Sequence, residues 1–179
     1  MNARQRLSTC NEPRARGDLL WVERLKGGEE GKYVVTGHRV YGFYTHWTGQ
    51  RTVPCWENHD LCEGGHSENT LRENYFLQCW SLKKNKGVFL YFTPEARNQF
   101  FAQVEGSKSF QGVTLIVKRT GAKNGRLNVE LSQYDQPKLI RTKELDPYLS
   151  VLTFLKVPRQ LIEAARSLGT IPDVEILAG

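Results

Sequence analysis

Residues 48–73 lose all apolar periodicity and gather Gly, Pro, Asn, Cys and His. A loop of that length inside a compact domain needs something to hold it. The composition of the stretch supplies a means. Read from His46, the sequence HWTGQRTVPCWENHDLCEGGH offers His46, Cys55, His59, Cys62 and His66 as donors, three of the chain's 4 histidines and two of its 4 cysteines. Two thiolates and two imidazoles wrapped around one ion are a common structural set for tetrahedral zinc. Eight residues separate His46 from Cys55, six separate Cys55 from Cys62, and three separate Cys62 from His66. The favoured ligands to a structural Zn2+ are therefore His46, Cys55, Cys62 and His66, which tie both ends of the insertion to what precedes and follows it. His59 is the reserve: Cys55, His59, Cys62 and His66 close the site locally, and spacing leaves both sets open.

The segments flanking this loop read as β structure. Lys32–Trp47 (KYVVTGHRVYGFYTHW) is rich in the β-branched and aromatic residues that suit a pleated surface. Alternation sets Arg39, Tyr41, Phe43, Thr45 and Trp47 on one face and His38, Val40, Gly42, Tyr44 and His46 on the other, with Gly37 and Gly42 as bends or bulges. Asn74–Leu82 and Gly87–Phe92 flank KKNK as a hairpin. Thr93, Pro94 and Glu95 start a helix, with a hydroxyl cap, proline in the first turn and a carboxylate at the positive end of the dipole. Ala96, Phe100, Phe101 and Val104 recur at helical spacing until Gly106. Val113–Arg119 and Arg126–Leu131 make a second hairpin, VLTFL at 151–155 is apolar, and Pro158–Leu168 predicts a further helix.

Charge narrows the function classes. Lys+Arg 25 against Asp+Glu 19 leaves +6, an excess that favours a polyanionic partner. Arg39 alternates with Tyr41, Phe43 and Trp47, Arg51 follows in the loop, and Trp80 precedes Lys83, Lys84 and Lys86. Lys118, Arg119, Lys123 and Arg126 bracket Gly121 and Gly125. Cations for phosphates and aromatic faces for bases are what single-strand binding requires. The candidate nucleic-acid residues are therefore Arg39, Tyr41, Trp47, Arg51, Trp80, Lys83, Lys84, Lys86, Lys118, Arg119, Lys123 and Arg126.

From Lys32 the elements run strand, loop insertion, strand, strand, helix, strand, strand. That is the order of an OB fold, a five-stranded barrel with its helix between the third and fourth strands. The expectation is a mainly β chain: an OB-like barrel with a zinc-bound insertion between its first two strands and a C-terminal helical segment. From about Lys32 to Leu131, in element order and in a strand-end histidine followed by a Cys-bearing loop, the chain resembles the zinc-containing single-stranded DNA-binding proteins of the phage type. The resemblance implies sequence-independent binding of single-stranded DNA across a barrel face. The family carries one histidine and three cysteines in its zinc loop, where the favoured set here has two of each, and the first residues differ from the family's polymerisation arm.

Three segments are expected: a basic tail at 1–17, an OB-like domain at 18–135 with its zinc loop at about 46–73, and a C-terminal extension at 136–179. No apolar run approaches the roughly 20 residues that cross a bilayer, and no apolar segment follows the first charges, MNARQRLSTCNEPRARG. The chain is expected to be cytoplasmic, or in the host-cell cytoplasm for a mobile element, without a membrane partner. Two function classes compete: a binder of single-stranded DNA or RNA, with DNA favoured, and an accessory or inhibitory subunit of a nucleoprotein complex docked through its C-terminal extension. An enzyme has least support, for no phosphate-binding G-x-x-x-x-G-K-[ST] and no G-x-S-x-G is present.

Overall fold

The computed structural model describes residues 21–56, 62, 68–122, 125–133, 135, 140, 142, 147–158, 160, 163 and 176–178. Its strands are β1 (Trp21–Glu23), β2 (Glu30–Trp47), β3 (Thr52–Pro54), β4 (Leu71–Ser81), β5 (Lys86–Phe92), β6 (Thr114–Arg119), β7 (Leu127–Leu131) and β8 (Ile176–Ala178). The helices are α1 (Pro94–Val104) and α2 (Pro147–Phe154), with a 3-10 turn at Glu68–Thr70. The chain is mainly β.

The residues fall into two compact units that are not consecutive blocks of sequence. One contains Trp21–Phe43, Glu73–Glu144 and Val174–Gly179; the other contains Tyr44–Arg72 and Leu145–Asp173. In the first unit, β4 and β5 form the expected hairpin, from Tyr75 opposite Phe92 to Ser81 opposite Lys86. A second hairpin joins β6 to β7, and β6 also pairs with the first residues of β2, Tyr33 opposite Leu115.

The strand order is β1-β5-β4-β2-β6-β7, with β3 and β8 also paired to β2. β1 runs parallel to β5 and the other registered pairs are antiparallel. This mixed sheet is open, where the sequence led us to expect a closed five-stranded barrel. Both edges that closure would join are occupied. The outer edge of β5 is taken by β1, and that of β7 by two glutamines one turn apart on α1: Val129 N donates to Gln99 Oε1 (2.9 Å), Gln103 Nε2 donates to Val129 O (2.7 Å), and Leu131 N donates to Gln103 Oε1 (2.8 Å). Side-chain amides therefore do for β7 what a neighbouring strand would have done.

Local rules account for α1. Thr93 lies in extended backbone and its Oγ1 accepts from Ala96 N at 3.2 Å, with Pro94 next in line. The inward residues Ala96, Phe100 and Val104 join a core built from Tyr33, Leu77, Leu90, Phe92, Leu115, Val117 and Val129, and Phe101 is half-buried against it. Phe100 meets Phe92, Phe101 and Phe110 with ring centroids 5.9, 5.4 and 5.3 Å away.

The alternation read in β2 does not survive packing, since Val40, Tyr41, Gly42 and Phe43 are all buried. Phe43 packs edge-on to Phe76 and Tyr41 edge-on to Phe89, so each neighbour in the strand finds its own aromatic partner. At Gly37 the constraint is close approach: a Cβ there would stand 2.9 Å from Gln78 Cβ.

The apolar run at 151–155 lies mostly within α2, burying Val151 and Leu152. That helix ends on Lys156 in the left-handed region (φ 62), with Lys156 N donating to Thr153 O and Val157 N to Leu152 O, the paired bonds of a Schellman ending. The helix expected at Pro158–Leu168 lies largely outside the described residues. Residues 176–178 pair with Arg39–Tyr41 of the same chain. No helix among the described residues is long and apolar enough to cross a membrane.

Candidate metal centre and cationic surfaces

The last residues of β2 and the loop that follows build the candidate metal centre within one unit. β2 turns back at Thr48–Arg51 and pairs with β3, placing His46 opposite Val53 and Trp47 opposite Thr52. The Cys55 amide then donates to Tyr44 O at 2.9 Å, so Cys55 follows Pro54 back alongside β2. Cys62 returns to the same place, and the ligand atoms of His46, Cys55 and Cys62 all lie within 4.8 Å of one another. His46 and Cys62 are buried and Cys55 is half-buried.

These three residues are close enough to hold a metal ion. An ion bound tetrahedrally at about 2.3 Å from sulfur sets two thiolates about 3.8 Å apart, a separation of the same order as the spacing in this cluster. His46 Nδ1 lies 3.0 Å from Thr70 Oγ1 at the end of the 3-10 turn. With the Nδ1 proton donated to that hydroxyl, Nε2 presents its lone pair, the outer hydrogen bond that commonly orients a metal-binding histidine. Burial first, and then the adjacent Cys62 thiol, push Cys55 up to about 11. A divalent cation would reverse that preference by stabilising the thiolates. His59 and His66, the remaining donors named from sequence, lie outside the described residues.

The cationic candidates divide by environment. Arg39, Arg51, Lys83, Lys84, Lys86, Lys118 and Arg126 are exposed. Lys84 Nζ lies 3.2 Å from Glu23 Oε2, close enough for an ion pair though not aligned as a hydrogen bond. Lys118 stands 3.7 Å from Glu30. Arg119 is half-buried and structural: its Nε donates to Gly125 O and its Nη1 to Leu25 O, both at 3.2 Å, which pins the β6–β7 turn to the chain beyond β1. Lys123 lies outside the described residues.

The aromatic candidates divide likewise. Tyr41 is only 8% exposed and is a packing residue, because β2 is covered on both faces from Val40 to Phe43. Trp80 is half-buried, Trp56 is buried, and Trp47 is 51% exposed at the end of β2. Of the large apolar side chains described, the most exposed is one that the sequence reading passed over, Trp21 at 60%. Its signal was present in DLLWVERLK, but a short apolar segment gives no hint of which side chain remains outside. Cys79 is fully buried, its thiol pushed well above the ordinary range by burial and by Glu23, which suits a packing residue and not a nucleophile. No family model, curated protein or solved structure matches the chain.

Proposed function

We propose that the chain binds single-stranded nucleic acid, DNA before RNA, largely without regard to sequence, and acts as a binding protein and not as an enzyme. The observation that carries this reading is the cation pattern of one sheet. Lys83, Lys84 and Lys86 stand exposed at the β4–β5 turn, and Lys118 and Arg126 stand exposed at the β6–β7 turn. The order β2, β4, β5, α1, β6, β7, with β2 between β4 and β6, supports an OB-like arrangement in which the central hairpin and the loops meet the oligonucleotide. We further propose that the ion held by His46, Cys55 and Cys62 is zinc in a structural role. Two thiolates and an imidazole are the soft and borderline donors zinc prefers, and His66 or His59 would complete the shell.

A filter-binding salt titration with a short oligothymidylate tests the reading. Three to five engaged cations give a slope of log K against log salt of about −2 to −3.5. Absence of binding at low salt refutes the function. Metal analysis of the purified chain tests the centre: about one zinc per chain is expected, with loss in Cys55→Ser and Cys62→Ser.

A further inference from the structure

We infer that Trp21 on the edge strand β1 is a base-stacking platform, with Lys86 and Lys83 as its phosphate contacts. The inference rests on the nucleic-acid reading above and adds to it a specific stacking residue, Trp21, that was not among the sequence candidates.

Four facts converge on this residue. Trp21 is 60% exposed, the most of any large apolar side chain described. It stands at the start of a three-residue strand whose described strand partner is β5, where Trp21 lies opposite Val88. The Lys86 ammonium sits over the indole, 5.2 Å from the ring centroid. The β4–β5 turn brings Lys83 and Lys84 to the same end of the sheet, and Lys84 reaches β1 itself at Glu23. Among the described residues of β1 the single carboxylate, Glu23, is met by Lys84, and Lys83 and Lys86 are the cations beside it that would face a polyanion.

An exposed indole on a short sheet edge exposes apolar area to water, and Trp21 is not among the described core residues. Val22 supplies the buried contact of β1, and Glu23 anchors the strand by accepting from Tyr33 Oη at 2.7 Å. Indole is the largest stacking surface among the side chains. With an ammonium resting on the ring, the base stacked against the rest of that surface lies within reach of the same lysine through its phosphate. Aromatic face and cation side by side are the two elements of sequence-tolerant single-strand recognition.

The test uses the full chain and a fluorescently labelled ten-nucleotide oligothymidylate at low salt, read by anisotropy and by intrinsic tryptophan emission. Trp21→Ala is expected to weaken binding roughly tenfold or more. Trp21→Phe, which keeps a stacking face, should hold affinity within about threefold and remove at least half of the emission quench. Trp47→Phe is the matched control at the other exposed tryptophan, and the quench it removes should be the smaller. Wild-type affinity in Trp21→Ala, with the quench unchanged in Trp21→Phe, overturns the platform while leaving the nucleic-acid reading intact. Absence of binding by the wild-type chain overturns both. If the effect of Trp21→Ala is confined to the sedimentation of the chain without oligonucleotide, Trp21 is a self-association contact and the assignment fails.

Discussion

Removing the two glutamines that cover β7 tests why the sheet stays open. Gln99 contributes one hydrogen bond to the Val129 amide, and Gln103 contributes two, to Val129 O and from Leu131 N. A net hydrogen bond is worth about 1 kcal/mol. Gln99→Ala should therefore cost about 1 kcal/mol and Gln103→Ala somewhat under 2 kcal/mol, because water reaches the Leu131 amide and alanine returns a few tenths through helix propensity. The double variant should lose about 2–3 kcal/mol, a fall in Tm of roughly 5–10 °C for a chain of this size. Urea unfolding measures the sum, and native-state amide exchange localises it. The Val129 and Leu131 amides should exchange faster in the variants, while amides of the β4–β5 hairpin do not. An uncovered edge also invites pairing with a second chain, so the double variant should sediment as larger species at high concentration. A double variant within 0.5 kcal/mol of wild type, with both amides as protected as before, would refute the edge-capping argument.

Other outcomes follow from the same geometry. Phe100→Ala should cost about 3–5 kcal/mol in urea unfolding, for Phe100 is fully buried among three other rings. Gly37→Ala should destabilise by about 1–3 kcal/mol through overpacking, since its Cβ would meet Gln78 Cβ at 2.9 Å; a neutral result would mean that β2 and β4 can part there without cost. Metal affinity should rise with pH. The Cys55 thiol, held up to about 11 in the metal-free chain, must lose its proton to bind, so this residue alone weakens affinity about tenfold for each unit of pH fall below that value. A competition titration between pH 6.5 and 8.5 reads the slope, and a flat profile would exclude Cys55 as a thiolate ligand.

Much of this architecture is written locally. The start of α1 is legible because Thr93, Pro94 and Glu95 act on their own helix turn, whatever lies elsewhere in the chain. The β4–β5 and β6–β7 hairpins are legible for a similar reason: β-rich runs close on short turns, and the observed ends differ from the expected ones by a few residues. The five donors from His46 to His66 stand out by chemical type and concentration, so a candidate metal site could be named from sequence, and the structure brings His46, Cys55 and Cys62 of that pool together. The short apolar run at 151–155 was not assignable, because a few apolar residues suit a strand and a buried helix equally.

What the chain order leaves open is long-range pairing. Nothing in WVE marks it as a strand running parallel to β5, and nothing in ILA directs it to Arg39–Tyr41, because such contacts depend on which edges remain free once nearer elements have formed. The same cause separates expectation from structure at β2, where strict alternation would expose one face, yet Tyr41 and Phe43 are buried with their neighbours because packing covers both sides. It also decides the two edges of the sheet. The pool of donors between His46 and His66 could be named by residue type, but which aromatic stays in water and which glutamine satisfies a strand are set by where the rest of the chain comes to lie, since burial and edge satisfaction belong to pairs of distant segments and not to either one.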